Sequence, residues 1–214
     1  MNQYFIYALG FFAQSLFGAR SIVQWYLSER EGKVVSPTLF WVFSLLGSSL
    51  FLLYGLIRQD IVILIGQSIS FYVYVRNLQL KRVWSRIPLA LQLLLLFIPP
   101  SILVCWFQQK AVFTLQVDTA IPVMVIGIAG QLLLNCRYLY QWHFSEKAKE
   151  SVLPLGFWVI SLAASVMVVV YSIARQEPVL LVAQSLGLVV YLRNIIIYSR
   201  NTPEGQSRIN NTDQ

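Results

Sequence analysis

Four arginines stand in or near the inner ends of long apolar runs: Arg20, Arg76, Arg137 and Arg193. A guanidinium at mid-bilayer costs about 2.5–3.5 kcal/mol on insertion scales, and less where it reaches the headgroups. Its chemistry is anion binding, because the planar fork donates two parallel hydrogen bonds to phosphate or carboxylate. Each arginine has amide company. On a helix Gln24 lies one turn beyond Arg20, and Gln141 one turn beyond Arg137, so each pair shares a face. Asn77 and Asn194 directly follow Arg76 and Arg193. These eight residues form the expected phosphate- or headgroup-binding set. Two other readings stay open: the guanidinium groups snorkel to the cytoplasmic headgroups, or they pair with Glu29 and Glu146 in an ion-pair girdle.

A second polar set repeats along the chain. Gln67, Ser70, Tyr74 and Asn77 fall at i, i+3, i+7 and i+10, one helical face. Gln184, Tyr191 and Asn194 repeat it, with Gly187 in place of Ser70. Trp41, Ser44 and Ser48 share a face, as do Trp158, Ser161 and Ser165. One reading is interhelical hydrogen bonding, worth about 0.6–2 kcal/mol per contact in a membrane. The other is a polar path between two halves, lined by Gln67, Tyr74, Gln184, Tyr191, Trp41, Ser44, Trp158 and Ser161. Arg76 sits off the stripe, nearly opposite Gln67, so arginine and stripe need not meet one ligand. Trp25 and Trp142 are expected at the cytoplasmic interface as anchors.

Other chemistry is poorly supplied. No nucleophile stands with a histidine base, and no glycine-rich phosphate loop occurs, so no catalytic residue is expected. The single histidine is His143, and Cys105 and Cys136 lie apart inside apolar runs. Neither metal nor cofactor is expected, and the cysteines read as reduced core residues. Asp60 and Glu177 fall in short outer turns and read as solvated charges.

The elements that must position these groups are set by composition. Of 214 residues, 57% are hydrophobic and 12% charged, with mean hydropathy +0.64. Soluble domains are about 45–50% apolar and about 25% charged. The apolar residues fall in runs of about 20, the length of a bilayer span. Disordered, disulfide-stapled and ordinary soluble classes are therefore excluded. The first run follows Met1-Asn2-Gln3-Tyr4, which lacks a basic stretch, and it reads as a span rather than a signal peptide.

Self-comparison organises the rest. Gly10, Gln14, Arg20, Gln24-Trp25, Ser28-Glu29, Pro37, Phe40-Trp41, Ser44, Tyr54, Arg58-Gln59, Gln67-Ser68, Tyr74 and Arg76-Asn77 recur 117 residues later. About 27 of about 71 positions are identical without a gap, which marks a tandem duplication. The first repeat covers 1–81, with spans at about 4–27, 38–57 and 61–80. Residues 82–117 form a linker holding a fourth span at about 87–107, opened by Pro88 and interrupted by Pro99-Pro100. The second repeat covers 118–200, with spans at about 120–143, 155–174 and 178–198. The expectation is an all-α integral membrane protein of seven transmembrane helices in a 3+1+3 layout. The odd linker span makes the two three-helix repeats parallel.

Orientation follows from basic residues near the span ends. Arg30, Lys33, Lys81, Arg82, Arg86, Lys147, Lys149, Arg200 and Arg208 fall on one side, against Arg58, Lys110 and Arg175 on the other. The richer side is cytoplasmic, with the N-terminus out and the C-terminus in, and 201–214 reads as a flexible cytoplasmic tail. The net charge of +7 then serves an anionic leaflet. Nucleic acid is not an expected partner.

The ordered motif of Arg followed by Gln-Trp-x-x-Ser-Glu, then Phe-Trp, Tyr, Arg-Gln-Asp/Glu, Gly/Ala-Gln and Tyr-x-Arg-Asn resembles the lipid-A biosynthesis N-terminal domain family. The likeness covers both repeats. That family takes its name from fusion to, or association with, lipid-A-disaccharide synthase of Gram-negative bacteria. Other members accompany glycosyltransferases that use polyprenyl-phosphate sugars. It is grouped with PQ-loop and SWEET-like proteins, which implies their N-out, C-in layout. Here no Pro-Gln pair occurs, so their hinge is not inherited. No room remains for a glycosyltransferase domain, so synthase activity is not expected of this chain alone. The resemblance implies a multi-pass inner-membrane protein of glycolipid synthesis, with membrane lipid and a lipid-linked sugar or lipid A precursor as partners. It would translocate or bind that phosphorylated lipid. The alternatives are an anchor or accessory subunit for a glycosyltransferase partner, and a transporter of soluble sugar.

Overall fold

The computed structural model describes residues 3–59, 61–108, 121–175 and 178–201. The expectations for Asp60, Lys110, Glu177, Arg208 and the tail from 202 lie outside the described residues.

Among the described residues, seven long α-helices run in order: α1 (Gln3–Glu31), α2 (Thr38–Arg58), α3 (Ile61–Leu80), α4 (Leu89–Gln108), α5 (Ile121–Ala148), α6 (Leu155–Arg175) and α7 (Pro178–Arg200). A 3₁₀ turn, Trp84–Arg86, precedes α4, and no strand occurs among the described residues. Each helix coincides with an apolar run. Helices α1 and α5 continue one turn past theirs and end alike. Gly32 follows α1 with φ +65°, and its counterpart Lys149 follows α5 with φ +56°. This left-handed residue stops a helix, and glycine adopts it without the Cβ clash that lysine meets.

Among the described residues, four helices are apolar enough by length and composition to cross a bilayer: Thr38–Arg58, Leu89–Gln108, Leu155–Ala174 and Leu181–Arg200. The expectation of seven equivalent spans is therefore met in part. Helices α1, α3 and α5 are also long enough, and many of their polar residues point inward. Arg20, Gln24, Ser28, Ser70, Asn77, Arg137, Gln141 and Ser145 are all buried, while Phe11, Leu94, Phe97, Ile173, Val182 and Leu186 are exposed. Buried polar groups and exposed large apolar groups suit association with a membrane.

The described residues group into two compact units. One holds those of 1–20, 38–118 and 142–151; the other holds those of 21–37, 119–141 and 152–214. The first unit joins the N-terminal part of α1 to α2, α3 and α4, together with the C-terminal end of α5. The second joins the rest of α1 to most of α5, α6 and α7. Each unit thus combines helices of one repeat with a helix end from the other.

In the first unit α2 packs on α3, and α4 rests on both. Gly10 lets α1 lie against the Tyr54 ring, since a Cβ there would stand 3.0 Å from it. In the second unit α6 packs on α7, and Gly127 gives the same approach to Tyr171. Pro100 in α4 has no N–H, so the Leu96 carbonyl loses its helical partner. The Tyr72 hydroxyl of α3 donates to that carbonyl at 3.1 Å. Cys105 and Cys136 are exposed free thiols, which corrects their reading as core residues. Apolar surroundings do not separate a core position from an outward one when both are apolar.

Candidate functional site

In the first unit Arg20 reaches from α1 between α2 and α3. Its Nη1 donates to Ser44 Oγ at 2.8 Å and to Tyr74 Oη at 3.3 Å. Ser44 in turn donates to the Phe40 carbonyl, which turns its lone pairs toward the guanidinium. The guanidinium carbon lies 4.4 Å from the Phe17 ring centre and 5.2 Å from that of Phe40. Trp41 backs Tyr74, with ring centres 6.1 Å apart. Arg20 is only 7% exposed.

The second unit builds the same cage around Arg137. Its Nη1 donates to Ser161 Oγ and to Tyr191 Oη, each at 3.0 Å. Phe157 lies 5.3 Å from the guanidinium, and Trp158 backs Tyr191 at 6.0 Å. One member differs. Tyr138, 4.9 Å away, takes the place of Phe17 and also accepts from Nη2 at 3.2 Å. These partners are hydroxyls and aromatic faces. They orient the positive charge, and each face adds cation–π attraction.

The structure therefore joins Arg20 and Arg137 to residues expected to line a path: Ser44, Tyr74 and Trp41 in one unit, Ser161, Tyr191 and Trp158 in the other. The other two arginines have a different fate. Arg76 grips Glu146 through Nε and Nη2, and Arg193 grips Glu29 the same way. Trp142 and Trp25 donate their indole N–H to those glutamates at 3.0 and 2.9 Å. Both carboxyls lie beyond the apolar parts of their helices. Each is pulled from the ordinary 4.5 to about 2, first by its arginine and then by its tryptophan. Of the open readings, the ion pair with Glu29 and Glu146 is the arrangement that Arg193 and Arg76 adopt.

The amides follow those ion pairs rather than the buried arginines. Gln24 and Asn194 exchange hydrogen bonds at 2.7 and 3.0 Å. Gln24 also donates to Ser28 and to the Val35 carbonyl. Asn77 accepts from Ser151 at 2.7 Å, and Gln141 donates to the Val152 carbonyl at 2.8 Å. Gln24 and Arg20 share a helical face but not their partners. Residues missed from the sequence are Phe17, Phe40, Tyr138 and Phe157 of the cages, and Ser28 and Ser151. The recurrence of Phe40 as Phe157 was a usable signal; nothing in the spacing pointed to Phe17 or Tyr138. Gln67 and Gln184 stand farther up α3 and α7. Ser48 donates to the Gln67 backbone carbonyl, whereas Ser165 donates to the Gln184 side chain.

Comparison with known proteins gives the same periodicity. A family model described as Lipid A Biosynthesis N-terminal domain matches residues 9–79 and again residues 126–196. The chain is similar to a Lipid-A-disaccharide synthase of Chlamydia pneumoniae, 27% identical over 214 residues, covering 94% of this chain and 35% of the relative. It is also similar to one of Chlamydia abortus, 29% identical over 212 residues, covering 92% and 34%. The chain thus spans about a third of the length of the curated relatives it matches. No solved structure matches it.

Proposed function

The chain belongs to the Lipid A Biosynthesis N-terminal domain family in two tandem copies, and from that premise we propose that it handles a phosphorylated glycolipid of lipid A synthesis within the bacterial inner membrane. The observation that carries the reading is the pair of buried guanidinium groups, Arg20 and Arg137, each held by hydroxyls and aromatic faces. Keeping a cation in an apolar interior is costly. A phosphate on a lipid-linked sugar or lipid A precursor is an anion that a guanidinium binds through paired hydrogen bonds. In this reading the protein spans the membrane seven times in a 3+1+3 layout, N-terminus out, and passes the lipid between its parallel repeats. Tyr74, Tyr191, Ser44, Ser161, Trp41 and Trp158 position the two cations, and Gln67 and Gln184 line the approach. Arg76 and Arg193 hold helix ends through Glu146 and Glu29, Gln24 pairs with Asn194, and Gln141 and Asn77 donate to the Val152 and Val73 carbonyls.

Native mass spectrometry of the full chain in mild detergent tests this. Wild type should carry a phosphoglycolipid or polyprenyl phosphate that Arg20→Met and Arg137→Met lose. Bulk phospholipid alone, unaltered by either substitution, overturns it.

A second reading is supported by the length relation, since the relatives named Lipid-A-disaccharide synthase are about three times as long. In it the chain is a membrane module that presents lipid to a glycosyltransferase partner without moving it. Reconstituted vesicles separate the two: lipid flipping with this chain alone supports translocation. Enhanced synthase turnover without flipping supports the module.

A further inference from the structure

The polar stripes of α3 and α7 match at the arginine cage and diverge one turn farther on. In α3, Gln67 Oε1 and Ser70 Oγ are both buried, and neither has a hydrogen-bond partner. Ser70 is 1% exposed. In α7 the corresponding positions are satisfied or absent. Gln184 Oε1 accepts from Ser165 Oγ at 2.7 Å, and Gly187 stands where Ser70 does. Ser48, the counterpart of Ser165, turns instead to the Gln67 backbone carbonyl, which leaves the amide oxygen unmet. Buried polar atoms in native proteins are met by protein, water or ligand. Two on one helical face, in a single turn, mark a place for a small polar group.

The chemistry of the two atoms restricts that group. Gln67 Oε1 only accepts, so the occupant must donate. Ser70 Oγ can donate or accept. A hydroxyl meets both at once, and an ionised phosphate oxygen cannot. Tyr74, one turn beyond Ser70 on the same face, accepts from Arg20, so the unmet pair adjoins the cation cage. We infer that the first repeat alone carries a hydroxyl-binding subsite, Gln67 Oε1 with Ser70 Oγ beside Arg20, and that the second repeat has lost it. The hydroxyl comes either from a buried water or from the sugar that bears the phosphate. Only the sugar source rests on the function proposed above.

The test uses the full chain in detergent, with thermal unfolding followed against rising inorganic phosphate or glucosamine 1-phosphate. The variants are Gln67→Met with Ser70→Ala, and Ser70→Gly alone, which copies Gly187 and keeps the test open if the double variant does not fold. If the subsite holds a sugar hydroxyl, the variants weaken glucosamine 1-phosphate by about tenfold, the loss of one or two hydrogen bonds, and weaken inorganic phosphate far less, with Ser70→Gly leaving it unchanged. If it holds water, both ligands protect as in wild type, and the unliganded variants unfold at lower temperature. Unaltered ligand protection, together with unliganded variants that melt at or above wild type, overturns the inference, because removing two unmet polar groups relieves a cost. Loss of inorganic phosphate protection in wild type refutes the cation site instead. The direction of the melting change still decides the subsite.

Discussion

Arg20→Met should cost little stability, whereas removing the partners of Arg20 should cost more. The magnitudes follow from the cage. An arginine in the apolar interior costs about 3 kcal/mol on insertion scales. Against this, two neutral hydrogen bonds, to Ser44 and Tyr74, return about 1 kcal/mol each. The aromatic faces of Phe17 and Phe40 return about 1 kcal/mol more. The terms nearly cancel, so replacing the whole group with a methionine of similar length should change stability by no more than about 1 kcal/mol. Ser44→Ala with Tyr74→Phe removes the two hydrogen bonds but leaves the charge, and should cost about 2 kcal/mol. In the Arg20→Met background the same pair should cost far less, since nothing is left to satisfy. Reversible unfolding of the four proteins in mixed micelles measures the cycle. If Arg20→Met destabilises more than the double partner variant, the guanidinium is a packing element. The argument that its charge is kept for a ligand then fails. Arg137 offers an independent cycle through Ser161 and Tyr191.

Tyr72→Phe should destabilise the protein by about 1 kcal/mol, because it unpairs the Leu96 carbonyl. In a Pro100→Ala background, where a helical N–H serves that carbonyl, the cost should fall toward zero, as thermal unfolding of the four combinations would show. Strictly additive effects refute the pairing. Glu146 and Glu29 have carboxyls lowered to about 2. Their contribution is therefore complete above 4.5, the ordinary value, and is lost as pH falls toward 2. The melting temperature should drop through that window, and Glu29→Gln with Glu146→Gln should remove most of the drop. An unchanged profile in that variant would assign the acid sensitivity elsewhere.

The helices were legible because each apolar run is a helix and each polar cluster ends one. The duplication was legible because identical spacing survives at Gln24-Trp25, Tyr74 and Arg76-Asn77. The partners were not. Spacing on a helix reports neighbours on the same helix, so Gln24 looked like company for Arg20. Yet its amide meets Asn194, far along the chain, and Glu29 meets Arg193. A long helix passes different neighbours along its length, and one face can serve two purposes a turn apart. Nor could apolar character place Cys105 and Cys136, because hydrocarbon outside favours the same side chains as a core inside.

That equivalence also explains where the polar residues of the helices lie. In water, polar residues gather on the exposed face, and an amphipathic helix turns that face outward. In hydrocarbon the preference reverses, and a polar group is tolerated where other protein groups receive it. Helices α1, α3, α5 and α7 are less apolar than α2, α4 and α6, and they supply Arg20, Arg76, Arg137 and Arg193 with the amides beside them. Arg20, Gln24, Asn77, Arg137 and Gln141 are buried among hydroxyls, amides, carbonyls and aromatic faces, while many exposed positions are apolar. A departure from the apolar norm in such a chain thus marks where the inner contacts are made. Between the two repeats, the departures that recur, Arg20 with Arg137 and Tyr74 with Tyr191, belong to a shared architecture. The one that does not recur, Ser70 against Gly187, is where the two halves can differ in what they bind.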